Sequence, residues 1–411
     1  MTVVTEYKAN ISLKLILPLL AAIIAVSPLA IDMYLPGMPQ LAEYFSTQMP
    51  LVQNSLSIYL LGYAVGLLVF GPMADKYSRR TLVMIGLSGF LITTVALTFT
   101  QSIEQFITLR FLQAFISSAA TVVVPGIIRQ LYGKDTAKGL SYVSMIMMLA
   151  PMIAPSIGSV LLLHSWQMIF YVLAAYALLV FVCSFCYLPD LKVTKSAISY
   201  SVIERYKIVF SNRTARFDLL TSMMVSLAFF GYITAIPFVY LTVFEVSEFT
   251  FSLLFALNVF ALMTAHFINT RLVVKVGSRK MLRFGVALAL VTSTSLLLAN
   301  IFDLPLYYHV LAILPLMGSL SMISVNADAL ILHEFAEHAG TATAVNGTLR
   351  FGIGALAGPI LAVFYDGSAL PFALLMAGAV YLVLICQLIQ NKLIANKLDI
   401  TKLEKISQED V

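Results

Sequence analysis

Long runs of apolar residues, separated by short polar segments, repeat along almost the whole chain. A helix needs about 20 apolar residues to cross a bilayer, and twelve of the runs are that long. The runs are unbroken, whereas strands of a membrane β-barrel alternate apolar and polar positions. The pattern therefore predicts an all-α integral membrane protein with twelve transmembrane helices. We number these runs as spans one to twelve, at 14–35, 51–72, 81–100, 104–128, 139–163, 166–188, 217–243, 250–274, 281–301, 305–331, 340–364 and 369–391.

Composition agrees with this pattern. Of the 411 residues, 60% are apolar and 11% are charged, and the mean hydropathy is +0.94. Ordinary soluble domains are about 45–50% apolar and about 25% charged. The values exclude a soluble globular protein, a coiled coil and a disordered chain. Three cysteines exclude a disulfide scaffold, and the first run is too long for a cleaved signal peptide.

The basic residues predict the orientation in the membrane. All but two of the 25 Lys and Arg lie in polar segments on the side of the N-terminus, and the loops of the other side hold none. Because basic segments stay in the cytoplasm, we expect both termini to be cytoplasmic. The net charge of +5 then reflects orientation and gives no reason to expect a nucleic-acid partner; the expected partner is the lipid bilayer.

The longest polar stretch divides the spans into two sets of six. The inner loops at 75–80 and 275–280 carry similar basic sequences. Internal repeats of this kind are common in secondary transporters, in which two bundles move around a site near the midplane. We therefore expect two pseudo-symmetric six-helix bundles. The predicted boundaries are 1–188 for the first bundle, 189–216 for a cytoplasmic linker, 217–391 for the second bundle and 392–411 for a cytoplasmic tail.

Two stretches have the residues expected of moving parts. Gly71 allows close helix packing, and Asp75 is followed by Arg79 and Arg80, which can bond helix ends of the same bundle as a gating latch. In span five, Pro151 and Pro155 lie four residues apart and remove helix hydrogen bonds, so we expect a bent or softened helix. Gly158 admits a close neighbour at the same seam.

The two remaining cations, Arg110 and Arg350, lie inside spans four and eleven. A charge at mid-bilayer costs about 2.5–3.5 kcal/mol on insertion scales and usually faces the bundle interior. We expect both arginines to face Asp32 in span one, the main intramembrane acid. Asp328, near the inner end of span ten, is expected to pair with a basic loop residue.

Three stretches resemble motifs of the major facilitator superfamily. Residues 71–80 resemble its motif A, although Ser78 stands where the family usually has glycine. Residues 110–114 resemble motif B and residues 150–158 resemble the antiporter motif C. Over essentially the whole chain, further stretches are similar to the Bcr/CflA family of drug resistance transporters; these are 31–39, 237–240, 321–327 and 339–354.

This resemblance implies the major facilitator fold and a function. The implied function is export of small drugs, such as bicyclomycin, phenicols or sulfonamides, from a bacterial inner membrane in exchange for protons by alternating access. The motif B likeness ties Arg110 to proton coupling. Asp32 is the expected proton carrier, because burial and a nearby arginine act oppositely on a carboxyl group.

A polyspecific site mixes aromatic side chains with few polar groups. The Arg350 guanidinium offers a planar fork to a carboxylate, amide or nitro group. Arg110 either modulates Asp32 or binds substrate. The candidate substrate-binding residues are Asp32, Tyr34, Tyr59, Gln113, Asn258, Asn346 and Arg350.

Other functions remain alternatives. One is a dedicated exporter of a metabolite, dipeptide or siderophore, and another is a proton-coupled importer, which the motif C-like stretch disfavours. An enzyme is not expected, since no nucleophile, metal, cofactor or phosphate-binding constellation is recognisable in the sequence. We therefore expect no metal or cofactor. The expected partners are a small-molecule substrate and protons, and we expect the protein to be a monomer.

Overall fold

The computed structural model describes residues 13–74, 76–133, 136–190, 202–335 and 339–409. These residues form helices and no strands, which confirms the all-α prediction. In this part of the chain, ten helices are long and apolar enough to cross a membrane. They coincide with spans one to four, six to ten and twelve, at Ile16–Tyr44, Met49–Met73, Arg79–Leu97, Ile103–Tyr132, Trp166–Tyr187, Ala215–Val243, Glu248–Val276, Ser278–Ile301, Leu306–Glu334 and Leu370–Leu393.

The other two predicted spans are also helical. Span five is the helix Thr136–Leu162, whose described apolar stretch, Leu149–Leu162, is shorter than the other ten. Span eleven consists of two helices, Ala339–Gly354 and Ala357–Val363. The total of twelve membrane crossings stays a prediction for these two spans.

Several spans change helix geometry where a proline or the approach to a loop requires it. Span one has a 3₁₀ turn that contains Pro36, and the helix of span seven ends at Pro237 and continues as a π-helical turn. Proline lacks the backbone N–H that a regular helix uses, so such positions favour a change of geometry. The segments are Leu13–Asp32, Leu35–Gly37 and Met38–Tyr44 in span one, Ile103–Val122 and Val124–Tyr132 in span four, and Arg213–Pro237 and Phe238–Val243 in span seven.

The interruption of span eleven was not predicted. Pro359 follows directly after Gly358 at the start of the second segment. In a membrane interior each backbone N–H needs a partner, and the Gly358 N–H donates to Ser57 Oγ of span two at 2.8 Å. A side chain from the other half of the chain therefore compensates the interrupted helix.

The predicted roles of four proline and glycine positions have different outcomes. Pro151 and Pro155 both lie inside the helix Thr136–Leu162, and the bend expected at these prolines stays a prediction. A Cβ added at Gly158 would collide with the Met33 carbonyl oxygen, so this glycine does permit a close approach. Among the described residues no atom lies within 4 Å of a Cβ added at Gly71, which contradicts the prediction that this glycine serves close packing.

The polar segments contain more helix than expected. The linker includes the helix Val202–Ser211, and Val209 of this helix is buried beside Phe335 and Val345 at the ends of spans ten and eleven. The last helix runs from Leu370 to Glu409, well past the predicted end of span twelve. No glycine or proline occurs in the added part, and its Lys, Leu, Ala and Glu residues have high helix propensity.

The two halves, 1–188 and 217–391, are joined by hydrogen bonds toward one end of the bundle. We call this the sealed end; it carries the connections 45–48, 98–102, 163–165, 244–247, 302–305 and 364–369. Besides the Ser57–Gly358 bond, five side-chain hydrogen bonds between described residues cross between the halves there. Three are Gln40 Nε2 to Glu248 Oε1 at 3.2 Å, Gln53 Nε2 to the Thr234 carbonyl at 3.1 Å, and Ser159 Oγ to Ser252 Oγ at 2.5 Å. The other two are Ser159 Oγ to the Glu248 carbonyl and Ser252 Oγ to the Pro155 carbonyl, both at 3.0 Å.

The opposite end, which carries Arg79, Arg80 and Arg279, is called the basic end. The hydrogen bonds that these three arginines make among the described residues stay within one half. The halves are therefore bonded to each other at the sealed end and within themselves at the basic end.

Candidate functional site

Arg110 is fully buried and is held mainly by aromatic rings. Its guanidinium carbon lies 4.4 Å from the ring centroid of Tyr34 and 4.4 Å from that of Tyr59. Its two terminal nitrogens donate to Gln113 Oε1 at 2.7 Å and to the Ala30 carbonyl at 3.0 Å. Cation–π contacts are strongest where water is excluded, so these rings stabilise a charge that no described carboxylate neutralises.

Helical spacing brings these groups together. Arg110, Gln113 and Ser117 share one buried face of span four because residues three and seven apart lie on the same side of a helix. The Gln113 amide donates to Thr94 Oγ1 at 2.7 Å while its oxygen accepts from Arg110. Gln113, a candidate substrate-binding residue, is thus engaged with two groups of the protein in this structure and positions Arg110.

Asp32 lies at the end of the first helix of span one, two residues before Tyr34, and is 3% exposed. The two ion pairs between described residues are formed elsewhere, by Arg279 and by Arg350. The prediction that both buried arginines face Asp32 is therefore wrong for Arg350. Arg110 lies in the same half but donates to the Ala30 carbonyl instead of the Asp32 carboxylate.

A second polar cluster occupies the other half. Arg350 Nη1 donates to Asp328 Oδ2 at 2.9 Å and Arg350 Nε to Ser226 Oγ at 2.9 Å. Asn346 and Ser222 donate to Asp328 Oδ1 at 2.8 Å and 3.3 Å. Asp328 thus pairs with a cation inside the bundle, which corrects the expected loop partner. We call these five residues the Arg350 cluster.

The Arg350 cluster is partly accessible to solvent. The side chains of Arg350 and Asp328 are 32% and 33% exposed, although both residues lie inside long helices. At the sealed end the two halves are bonded together. We therefore expect water to reach this ion pair from the basic end.

An aromatic layer lies between the halves next to this cluster. The Tyr63 ring is 4.6 Å from Phe351, and Phe351 is 5.3 Å from Phe230, measured between centroids. In span eleven, Arg350 lies on the basic side of this layer and Gly358 lies on its sealed side. In span seven, Ser226 and Thr234 have the same two positions. We call Tyr63, Phe230 and Phe351 the aromatic layer.

Asn258, a predicted donor, is buried in span eight. Its Nδ2 donates to the Leu254 carbonyl at 2.9 Å, and its Oδ1 has no hydrogen-bond partner among the described residues. Tyr232 and Tyr240 of span seven lie beside it. Neither tyrosine was predicted as a site residue, although Tyr240 belongs to the stretch 237–240 that is similar to the Bcr/CflA family. Nothing in the sequence distinguishes Tyr232 from the other aromatic residues of the apolar runs.

A third polar network, also missed, joins the start of span seven to spans nine and twelve. Arg279 Nη1 and Nη2 donate to the two Asp218 oxygens at 2.7 Å and 3.1 Å, and Gln390 Nε2 donates to Asp218 Oδ2 at 2.8 Å. Asp218 is fully buried. An acid inside a helical segment was a usable signal, and Arg279 does more than orient the chain.

The candidate gating arginines contact their own half. Arg79 Nη1 donates to the Gly126 carbonyl at 2.5 Å and to Gln130 Oε1 at 2.7 Å, at the end of span four. Arg80 donates to the Phe185 carbonyl at 2.5 Å and lies over the Phe185 ring. Asp75 lies outside the described residues, so its predicted role in the latch stays a prediction.

Many apolar helices, a polar interior and two halves bonded at one end define a multi-pass membrane transporter rather than an enzyme. The sequence model of the Major Facilitator Superfamily matches residues 20–359. The chain belongs to this superfamily.

Comparisons with individual proteins agree. A bicyclomycin resistance protein homolog of Haemophilus influenzae is 29% identical over 86% of this chain and 90% of its own length. A chloramphenicol resistance protein of Pseudomonas aeruginosa is 28% identical over 82% of this chain and 84% of its own length. The solved structure of a point mutant of the nucleoside transporter NupG covers 91% of this chain and 99% of its own, with a TM-score of 0.71 and 13% identity; it shows the fold alone.

Proposed function

We propose that this protein exports small drugs from the bacterial cytoplasm in exchange for protons by alternating access. The relatives named for bicyclomycin and chloramphenicol resistance support this substrate class. Phenicols, bicyclomycin and sulfonamides are the drugs we expect it to carry.

The charge distribution supports an orientation in the inner membrane. All but two of the Lys and Arg belong to the side of the N-terminus, and such segments remain cytoplasmic. The basic end then faces the cytoplasm and the sealed end faces the periplasm. With this orientation the partly exposed Arg350 cluster is open to substrate from the cytoplasm.

The observation that carries proton coupling is the state of Asp32. It is a buried carboxyl group, 3% exposed, that makes no ion pair with a described cation. A carboxyl group whose surroundings differ between two conformations takes up a proton in one and releases it in the other. We propose that Asp32 binds a periplasmic proton as substrate leaves, and that its deprotonation toward the cytoplasm favours loading of the next substrate.

The proposed substrate path runs from the cytoplasmic opening toward Asp32. Arg350 and Asn346 come first, then the aromatic layer, and beyond it Tyr34, Tyr59, Asp32 and Asn258. Gln113 supports Arg110 instead of touching substrate in this conformation. Each chain carries the complete path between its own halves, so we propose that it works as a monomer.

The experiment is drug-triggered proton release in inverted membrane vesicles, followed with a pH-sensitive dye. We expect chloramphenicol to release protons from wild-type vesicles and from the control Asp303→Asn, since Asp303 is an exposed loop acid. Asp32→Asn should abolish the proton signal. If Asp32→Asn still couples drug movement to the pH gradient, Asp32 is not the proton carrier.

The same preparation separates the alternative functions. Uptake of substrate into right-side-out vesicles, driven by an inward proton gradient, would identify an importer and contradict the proposal. A deletion strain that accumulates one metabolite, dipeptide or siderophore, with unchanged drug sensitivity, would identify a dedicated exporter.

A further inference from the structure

Three buried polar atoms lie together in the second half without full hydrogen bonds. They are the hydroxyl oxygens of Tyr232 and Tyr240 and the Oδ1 atom of Asn258. The three residues are at most 1% exposed. Buried polar atoms are nearly always hydrogen-bonded, so three orphan atoms at one place require an explanation. We call these residues the Asn258 subsite.

Aromatic packing holds the subsite in a defined shape. The Tyr232 ring is stacked on Phe255 at 5.9 Å, and the Tyr240 ring meets Phe251 edge-on at 6.4 Å. Asn258 lies beside both hydroxyls, but neither contact has the geometry of a full hydrogen bond. The Asn258 amide is itself anchored through its Nδ2 to the Leu254 carbonyl.

The subsite lies at the interface between the halves. Tyr232 lies in the neighbourhood of Asp32 of span one. Thr234, two residues further along span seven, accepts the cross-half bond from Gln53. Along span seven, Phe230 of the aromatic layer comes before Tyr232. Tyr232 is thus closer to the sealed end than Phe230, on another face of the same helix, because residues two apart on a helix point to different sides.

The atoms of the subsite select a particular ligand group. Two phenol hydroxyls can donate, one amide oxygen can accept, and none of the three carries a charge. A carboxylate would meet the negative end of the Asn258 dipole, and an ammonium would leave both phenol donors unused. An uncharged carboxamide satisfies all three, because its oxygen accepts two hydrogen bonds while its N–H donates one.

We propose that the Asn258 subsite binds a carboxamide group of the transported substrate. Tyr232 and Tyr240 donate to the amide oxygen, and Asn258 Oδ1 accepts from the amide N–H. The proposal rests on the proposed export function and deepens it by naming a chemical group that substrates share. It assigns Tyr232 and Tyr240 to the substrate path, in addition to the residues that sequence analysis identified.

The experiment compares two ligands on purified full-length protein in lipid nanodiscs. Binding of radiolabelled chloramphenicol, which carries a secondary amide, is competed with its N-methylated analogue, which lacks the amide N–H. Each lost hydrogen bond in a buried site weakens affinity about five- to tenfold. We expect N-methylation to weaken binding by about this factor in the wild-type protein.

Variants then assign the N–H partner. In Asn258→Leu the parent drug should bind about five- to tenfold more weakly, while N-methylation should cost nothing further. Tyr232→Phe and Tyr240→Phe should weaken both ligands equally. Asn300→Leu is the matched control, because Asn300 makes the same bond to the carbonyl four residues earlier, at 2.9 Å, and it should behave as wild type.

The outcomes separate this inference from the proposed function. An N-methylation cost that is the same in wild type and Asn258→Leu, or a wild-type protein that does not bind chloramphenicol, overturns the carboxamide assignment. Drug-triggered proton release and its loss in Asp32→Asn test proton-coupled export independently, with drugs of any class.

Discussion

The guanidinium of Arg110 lies over the ring of Tyr59, with 4.4 Å between the guanidinium carbon and the ring centroid. Tyr34 makes the same contact at 4.4 Å. Desolvated cation–π contacts contribute about 2 kcal/mol each. Because the rings and neutral oxygens stabilise Arg110, the Asp32 carboxyl group is not required as its counter-ion. This arrangement is consistent with the proton-carrier role that we propose for Asp32.

The effect of a Tyr59 substitution on drug export should therefore depend on whether the aromatic ring is kept. Tyr59→Phe keeps the ring and loses the hydroxyl, whose bond to Ser27 is 3.0 Å long. We expect its drug export rate to stay within about two- to fivefold of wild type. Tyr59→Leu loses the cation–π contact and should export about tenfold more slowly or worse. Equal rates for Phe and Leu, at matched protein amounts in the membrane, would contradict a role for the ring.

The Arg350–Asp328 pair should behave as one unit. Removing either member alone, in Arg350→Met or Asp328→Leu, leaves a partly buried charge without its partner and should lower the stability by about 1–3 kcal/mol. The double variant should melt closer to wild type than either single variant. The measurement is the Tm of purified protein in detergent. Additive losses in the double variant would show that the ion pair does not couple the two sites.

The sealed end offers a direct test of alternating access. Ser159 and Ser252 belong to different halves, and their Oγ atoms are 2.5 Å apart. With Cys183, Cys186 and Cys386 replaced by serine, Ser159→Cys and Ser252→Cys together should form a disulfide under oxidation. We expect export to fall about tenfold or more and to recover on reduction, since the halves can no longer separate. Each single cysteine variant is the control, and unimpaired export by the cross-linked protein would refute the need for this end to open.

Alanine substitutions at Gly158 and Gly71 form a matched pair that tests how closely the helices pack at each position. Gly158→Ala places a Cβ against the Met33 carbonyl and should lower stability by about 1–3 kcal/mol through overpacking. Gly71→Ala meets open space and should leave stability unchanged or raise it by up to about 1 kcal/mol. Thermal unfolding of the two purified variants gives the comparison. A Gly71→Ala loss as large as that of Gly158→Ala would be incompatible with this packing.

Much of the architecture follows from local sequence. Runs of apolar residues predicted the ten membrane helices with small errors at their ends, because burial of apolar surface in lipid depends on the composition of each segment alone. Because Arg110 and Arg350 fall within such runs, the sequence also predicted that both lie inside membrane helices. The transporter class followed from motifs that are short and contiguous.

The partners of the buried charges were determined only by tertiary structure. Arg350 pairs with Asp328 and Arg279 with Asp218, whereas Arg110 is held by two tyrosine rings. Each of these contacts joins different helices, and rotation of one helix by a single residue would exchange the partner. The compensation of the break in span eleven by Ser57 from the other half has the same origin. By itself the sequence determined which residues enter the membrane, and the packing of helices decided which of them meet.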